Sequence, residues 1–240
     1  MATSQPPVTP AAASLMEDFV DIFTSPSEVF RRRMGSNGWV PLAIIVVLSA
    51  VLYFATKGLL QPVFDAEWAR QLAKVSAKDP AAATAMEGSR GMVEKFGALF
   101  VIIGLPISMA LTGVVLWLVG KIFGSAATVG DAIMVAIYAW VPRVLSFVAS
   151  AVIMLMMDPA KVNSMFSATL SAGKIMDPDA TSPVLFVLAG RVDVFIIWQT
   201  VLLAIGLSVV GKIPRTQAYI AAALVWFLGA CPALLGALRQ

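Results

Sequence analysis

The chain has 240 residues, of which 59% are hydrophobic and only 13% charged, with a formal net charge of +3 and a mean hydropathy of +0.87. An ordinary soluble domain carries about 25% charged residues, so this composition excludes a water-soluble globular protein. There is no histidine and a single cysteine, Cys231, which excludes histidine-based metal sites, Ser-His-type triads and an intramolecular disulfide.

Residues 1–13 are small, polar and proline-rich; they are expected to form a disordered tail and carry no cleavable signal-peptide pattern. Residues 14–38 follow as amphipathic, interfacial helices on the cytoplasmic side. Leu15, Phe19 and Ile22, with Met16, Val20 and Phe23, form an apolar stripe, and Glu17, Asp18 and Asp21 are expected elsewhere on the wheel. Ser25-Pro26-Ser27-Glu28 reads as a second helix start with a capping box. That helix ends in Arg31, Arg32 and Arg33, a basic triplet suited to anchoring on anionic lipid headgroups. Such an arm lies either along the inner leaflet or on the bundle's own end.

Five apolar stretches come next, at about residues 39–60, 97–120, 132–157, 183–211 and 217–238. Each meets the roughly 20 residues that a spanning helix needs. They predict an all-α fold: a polytopic, five-transmembrane-helix bundle filling residues 39–238. Arg31–Arg33, Lys121, Lys212 and Arg215 fall on one side, which puts the N-terminus in the cytoplasm and the C-terminus outside. The longer connections, about 61–96 and 158–182, then face outward. Phe64, Trp68 and Leu72 predict a surface helix over 65–78, and Asp79-Pro80 starts a stretch running toward the second span. Asp158-Pro159 predicts a short helix carrying Val162, Met165, Phe166 and Leu170. Pro106, Pro142 and Pro232 are expected to kink their spans.

Two charges inside the membrane carry most of the chemistry, because a mid-bilayer charge costs several kcal/mol. Arg143 in the third span and Asp193 in the fourth fall at similar depth, which predicts an intramembrane charge pair. Arg191 lies nearer the interface, where it can snorkel. Ser49 and Tyr53, Ser108 and Thr112, Ser146 and Ser150, and Thr200 add a supporting polar stripe on four helices. The stripe is either interhelical glue or the wall of a translocation path. Small-residue spacings at Gly120/Gly124, Ser146/Ser150 and Gly229/Ala233 permit close helix approach. No HExxH, P-loop, GxSxG, CxxC or Gly-rich dinucleotide turn occurs, so the expectation is a non-enzyme with no metal, no cofactor and no nucleic-acid partner.

Phe23-Thr24-Ser25-Pro26-Ser27-Glu28-Val29-Phe30 ahead of the first span resembles the F-x-x-P-x-x-x-F entry of the Ypt-interacting-protein (Yip) family, particularly its bacterial members. Gly120-Lys121-Ile122-Phe123-Gly124 and Ala136–Arg143 look like that family's glycine turn and A-Y-x-x-x-P third helix. Asp193–Trp198 running into Gly206-Leu207 is similar to its D-x-F-x-x-W…G-L fourth helix. The resemblance covers about residues 15–238. It implies a five-helix bundle with a cytoplasmic N-terminus, no catalytic residues, and in eukaryotic members a trafficking role with Rab-type GTPases. The expected function is a membrane-organising scaffold of the bacterial inner membrane that binds protein partners or lipid, or forms a homo-oligomer. The alternative is a small transporter or channel using the stripe around Arg143 and Asp193.

Overall fold

The computed structural model describes residues 14–238 (for Ala98 the backbone only), so the predicted tail over 1–13 lies outside the described residues. Two short helices open the described chain, α1 (Leu15–Thr24) and α2 (Pro26–Arg33). Among the described residues five segments are long and apolar enough to cross a membrane: Trp39–Lys78, Phe100–Ile122, Val129–Met156, Val194–Gly211 and Arg215–Ala237. The fold is therefore all-helical, with five candidate spans behind short N-terminal helices.

The helix of the first span does not stop at Leu60. The span is the lower part of α3, which runs unbroken for 40 residues from Trp39 to Lys78 and carries Pro62 inside it. At about 1.5 Å per residue that is roughly 60 Å, about twice a hydrocarbon core, so the upper half stands beyond the bilayer. Asp79 turns the chain by accepting from the amides of Ala81 and Ala82, and α4 (Pro80–Leu99) descends beside α3. A π-turn over Phe100–Gly104 then feeds α5 (Leu105–Ile122).

The next three spans are interrupted. Pro142 breaks the hydrogen-bond ladder of the third span: α6 (Val129–Ala139) ends at Trp140, itself still in helical backbone, and α7 (Val141–Met156) restarts there. The fourth predicted span divides into α8 (Pro183–Arg191) and α9 (Val194–Gly211), with Asp193 as the cap between them. Pro232 likewise opens α11 (Cys231–Ala237) after α10 (Arg215–Leu228). A proline lacks the N–H that the helix interior needs but costs nothing at a first turn.

The core sits where α5, α6, α9 and α10 meet, around Met109, Leu116, Val135, Tyr138, Leu202, Leu207 and Ala221. Lipid tails are as apolar as leucine, so close packing rather than water exclusion holds such helices together. Gly113 shows it: a Cβ there would lie 2.5 Å from Ile133 Cα, so α5 and α6 touch backbone to backbone. Gly206 makes the matching approach of α9 to Val135. Of the spacings expected to do this, Gly120 does pack, against Leu207 and Ser125, whereas Gly124 is a turn residue at φ +74° in open space. Leu111, Leu118, Val148 and Leu155 point outward and are exposed, as lipid-facing side chains should be.

At the end of the bundle away from α1 and α2, residues 158–182 form turns and two short 3-10 segments, Pro159–Lys161 and Ala172–Ile175, rather than the expected helix. Phe166 fills the space left by Gly173 and Gly190 and packs on Phe186. The Ala172 amide donates to the Val192 carbonyl (2.9 Å) and the Val194 amide to the Leu170 carbonyl (3.3 Å), strapping this segment over the α8–α9 break.

Candidate functional site

Two polar constellations stand out, one at each end of the bundle. The first is assembled by α1, α2 and α6. Ser14 and Glu17 form a reciprocal capping box that starts α1. Asp18 and Ile22 are four residues apart, so they share the face that turns inward, and both are fully buried. Asp18 Oδ1 accepts from Arg32 Nη2 (2.7 Å); its Oδ2 accepts from Arg33 Nε and from the Tyr138 hydroxyl (3.1 Å). Arg32 Nη2 also donates to Asp21 (2.8 Å). Hydrogen bonding to Asp21, then to Asp18, holds the Arg32 guanidinium above its ordinary pKa, so it stays charged.

Apolar contacts complete this clasp. Phe19 lies against Tyr138 and Phe23 meets Trp198 edge-on, with ring centroids 5.1 Å apart. Val29 and Phe30 are fully buried, and Phe30 reaches the groove at Gly206. Gly35, at φ +74°, donates its amide to Asp131 Oδ1 (2.8 Å), itself half of the Thr128 capping box that starts α6. The arginine triplet thus differs from a simple headgroup anchor: Arg32 and Arg33 grip Asp18, and Arg31 bonds Glu28 at the surface. The expected capping box at Ser25 and Glu28 is not formed; the Ser25 side chain makes no cap bond.

What the clasp leaves outside is equally definite. Met16 and Val20, one helical turn apart on α1, are 71% and 64% exposed, although the stripe reading placed them with Phe19 and Ile22. Asp18 and Tyr138 were missed as site residues. The available signal was the i, i+4 relation of Asp18 to Ile22, which puts an acid on a buried face.

The second constellation is a cavity of about 180 Å³ at the opposite end, lined by Arg143, Ser146 and Ser150 of α7, Thr169 of the strapping segment, and Asp193. The structure thus brings Arg143 and Asp193 to one cavity, but it forms no ion pair between them within 4.0 Å among the described residues. Asp193 Oδ1 is committed to the amides of Phe195 and Ile196 (2.9 and 3.2 Å) as the cap of α9. Arg143 stacks over Trp140, 5.0 Å from the ring centroid. Arg191 is tied to the last span: its Nη2 donates to the Trp226 carbonyl (2.9 Å), and Trp226 Nε1 donates back to the Arg191 carbonyl (3.3 Å).

Three of the stripe hydroxyls bond within their own helices. Thr112 donates to the Ser108 carbonyl, Thr200 to that of Ile196 and Ser146 to that of Arg143, each within its own helix rather than across helices. Ser49 is fully buried with its hydroxyl unpartnered, and Tyr53 faces a groove between α3 and α4. Among the described residues no three His, Cys, Asp or Glu side chains cluster as metal ligands would.

Comparison with known proteins agrees with this architecture. The family model described as the Yip1 domain matches residues 20–236. The chain is 27% identical over 207 residues to the membrane protein YknW of Bacillus subtilis (strain 168), covering 85% of this chain and 83% of that protein. No solved structure matches the chain.

Proposed function

The chain belongs to the Yip1-domain family of membrane proteins, and on that premise we propose that it is a non-enzymatic scaffold that organises partners at the membrane surface through its N-terminal helices. The observation that carries this reading is the clasp. Two helices that could have lain loose on the lipid are instead fixed to the bundle through a fully buried carboxylate, while Met16 and Val20 project outward. A rigidly held apolar pair with a charged surround is a recognition surface, because ordering costs are met on folding rather than on binding. The bilayer is the medium for the five spans. We place α1 and α2 in the cytoplasm and the membrane as the bacterial inner membrane, following the arginine triplet and the bacterial relative. Arg31 is the member of that triplet best placed to meet lipid headgroups, its side chain being 58% exposed.

A photoreactive side chain at Val20, irradiated in native membranes, tests this. The scaffold reading expects a discrete cross-linked adduct that Met16→Glu abolishes without lowering the amount of protein. Diffuse labelling identical to that from an exposed control position would count against it.

The cavity at Arg143 and Asp193 favours a second reading, a small transporter or channel, since a polar space beside an intramembrane cation is where a solute would pass. Solute flux in liposomes that disappears with Asp193→Ser, which keeps the helix cap, would support transport. Absence of flux supports the scaffold.

A further inference from the structure

Between α3 and α4 runs a groove of about 890 Å³, within the range of ligand-holding clefts. Its walls are apolar where Tyr53, Phe54 and Phe64 line it, and the basic side chains among its described lining residues are Lys57 and Lys95; Arg90 rests over Phe64 beside it. Glu94, also on its wall, is occupied by Arg90 and Gln61. Neither lysine has a carboxylate within 4.0 Å among the described residues, and Lys57 Nζ instead rests 5.6 Å from the Phe54 ring centroid.

The depth of these two cations is informative. Lys57 follows Trp39 by 18 residues of continuous helix, about 27 Å at ~1.5 Å per residue, close to one hydrocarbon thickness of about 30 Å. Lys95 precedes the apolar Phe100–Ile122 span by five residues. Both lysines line the groove and so fall near one headgroup level, the level opposite α1 and α2. One turn below them the groove closes, because Tyr53 packs on Gly97, where a Cβ would strike the Tyr53 hydroxyl at 2.5 Å, and Phe54 is left exposed to the lipid beside it. One lysine at a helix end is ordinary snorkelling; two lining one apolar-walled groove make a headgroup site.

We propose that this groove holds one anionic phospholipid, its phosphate between Lys57 and Lys95 and an acyl chain descending over the exposed Phe54. Charge complementarity and depth select this occupant: a partner helix would leave both ammonium groups under an apolar surface.

The glycines give a clean test. Gly58 and Gly91 line the groove, and a Cβ at either would enter open space, so Gly91→Leu, one turn outward of Lys95, narrows the groove at the headgroup level. Gly88, equally open but off the groove wall, supplies the control Gly88→Leu. Full-length protein in detergent is mixed with phosphatidylglycerol or phosphatidylcholine, and bound lipid is read by native mass spectrometry. The wild type and Gly88→Leu are expected to retain one phosphatidylglycerol with a preference of roughly tenfold or more, the scale of two basic residues beside anionic headgroups. The Lys57→Ala/Lys95→Ala variant is expected to lose the preference, and Gly91→Leu to lose retention of either lipid. Undiminished retention by Gly91→Leu, equal retention of both lipids by the wild type, or cross-linking from Gly58 to protein in place of lipid would each overturn the proposal.

Discussion

Replacing Asp18 with alanine should release the N-terminal helices while leaving the spans intact. Asp18 is fully buried, whereas the side chains of Arg32 and Arg33 retain 31% and 24% of their exposure. Removing one partner of a wholly buried ion pair costs about 3–5 kcal/mol because the other is stranded. Here the stranded arginines can turn to water, so Asp18→Ala should cost less, about 2–3 kcal/mol. The reverse perturbation, Arg32→Ala with Arg33→Ala, leaves the carboxylate buried with only the Tyr138 hydroxyl and should reach the full ~3–5 kcal/mol. Trypsin reads the difference directly, since no lysine or arginine precedes Arg31. The wild type should resist early cleavage at Arg31–Arg33, and Asp18→Ala should be cut there first, with the bundle still folded. An Asp18→Ala protein as resistant and as heat-stable as the wild type would refute the reasoning, because a carboxylate with that burial and those partners cannot be idle.

Gly113→Ala should lower stability by about 1–3 kcal/mol, read as a fall in Tm, because the added methyl meets the Ile133 backbone and no rotamer change relieves it. Asp193→Ala should cost about 1 kcal/mol, the loss of a helix cap, and Asp193→Ser should recover most of it. In a double-mutant cycle Arg143→Ala and Asp193→Ala should couple only weakly, since no direct ion pair joins them; a coupling of more than about 2 kcal/mol would establish the pair after all. Trp226→Phe should cost about 1–2 kcal/mol by removing the indole donor to Arg191 and weakening the cation–π contact between them, measured by thermal unfolding in detergent.

The spans were legible because hydropathy is a local property that needs only about 20 consecutive residues. The breaks within them were not. Val192 and Val194 flank Asp193, so averaging over a window hides a two-residue interruption, and the residue reads as mid-span rather than as a cap. The continuity of α3 through Leu60 was obscured by the change from apolar to mixed composition, which alters the solvent and not the helix. The clasp lay beyond local reading altogether: Asp18 and Tyr138 are 120 residues apart, and no periodicity within either helix announces their meeting. The intramembrane hydroxyls illustrate a further ambiguity, since a serine or threonine on an apolar helix can bond its own preceding turn as readily as a neighbour.

Hydrogen–deuterium exchange of the protein in lipid nanodiscs tests most directly whether the N-terminal helices are part of the bundle. Amides of Ile22–Thr24 and Val29–Arg33 should exchange as slowly as those of α6, because opening them requires breaking the Asp18 clasp and withdrawing Phe30 from the Gly206 groove. Exchange of these amides at the rate of a free peptide, with α6 still protected, would show the helices undocked and would contradict the account.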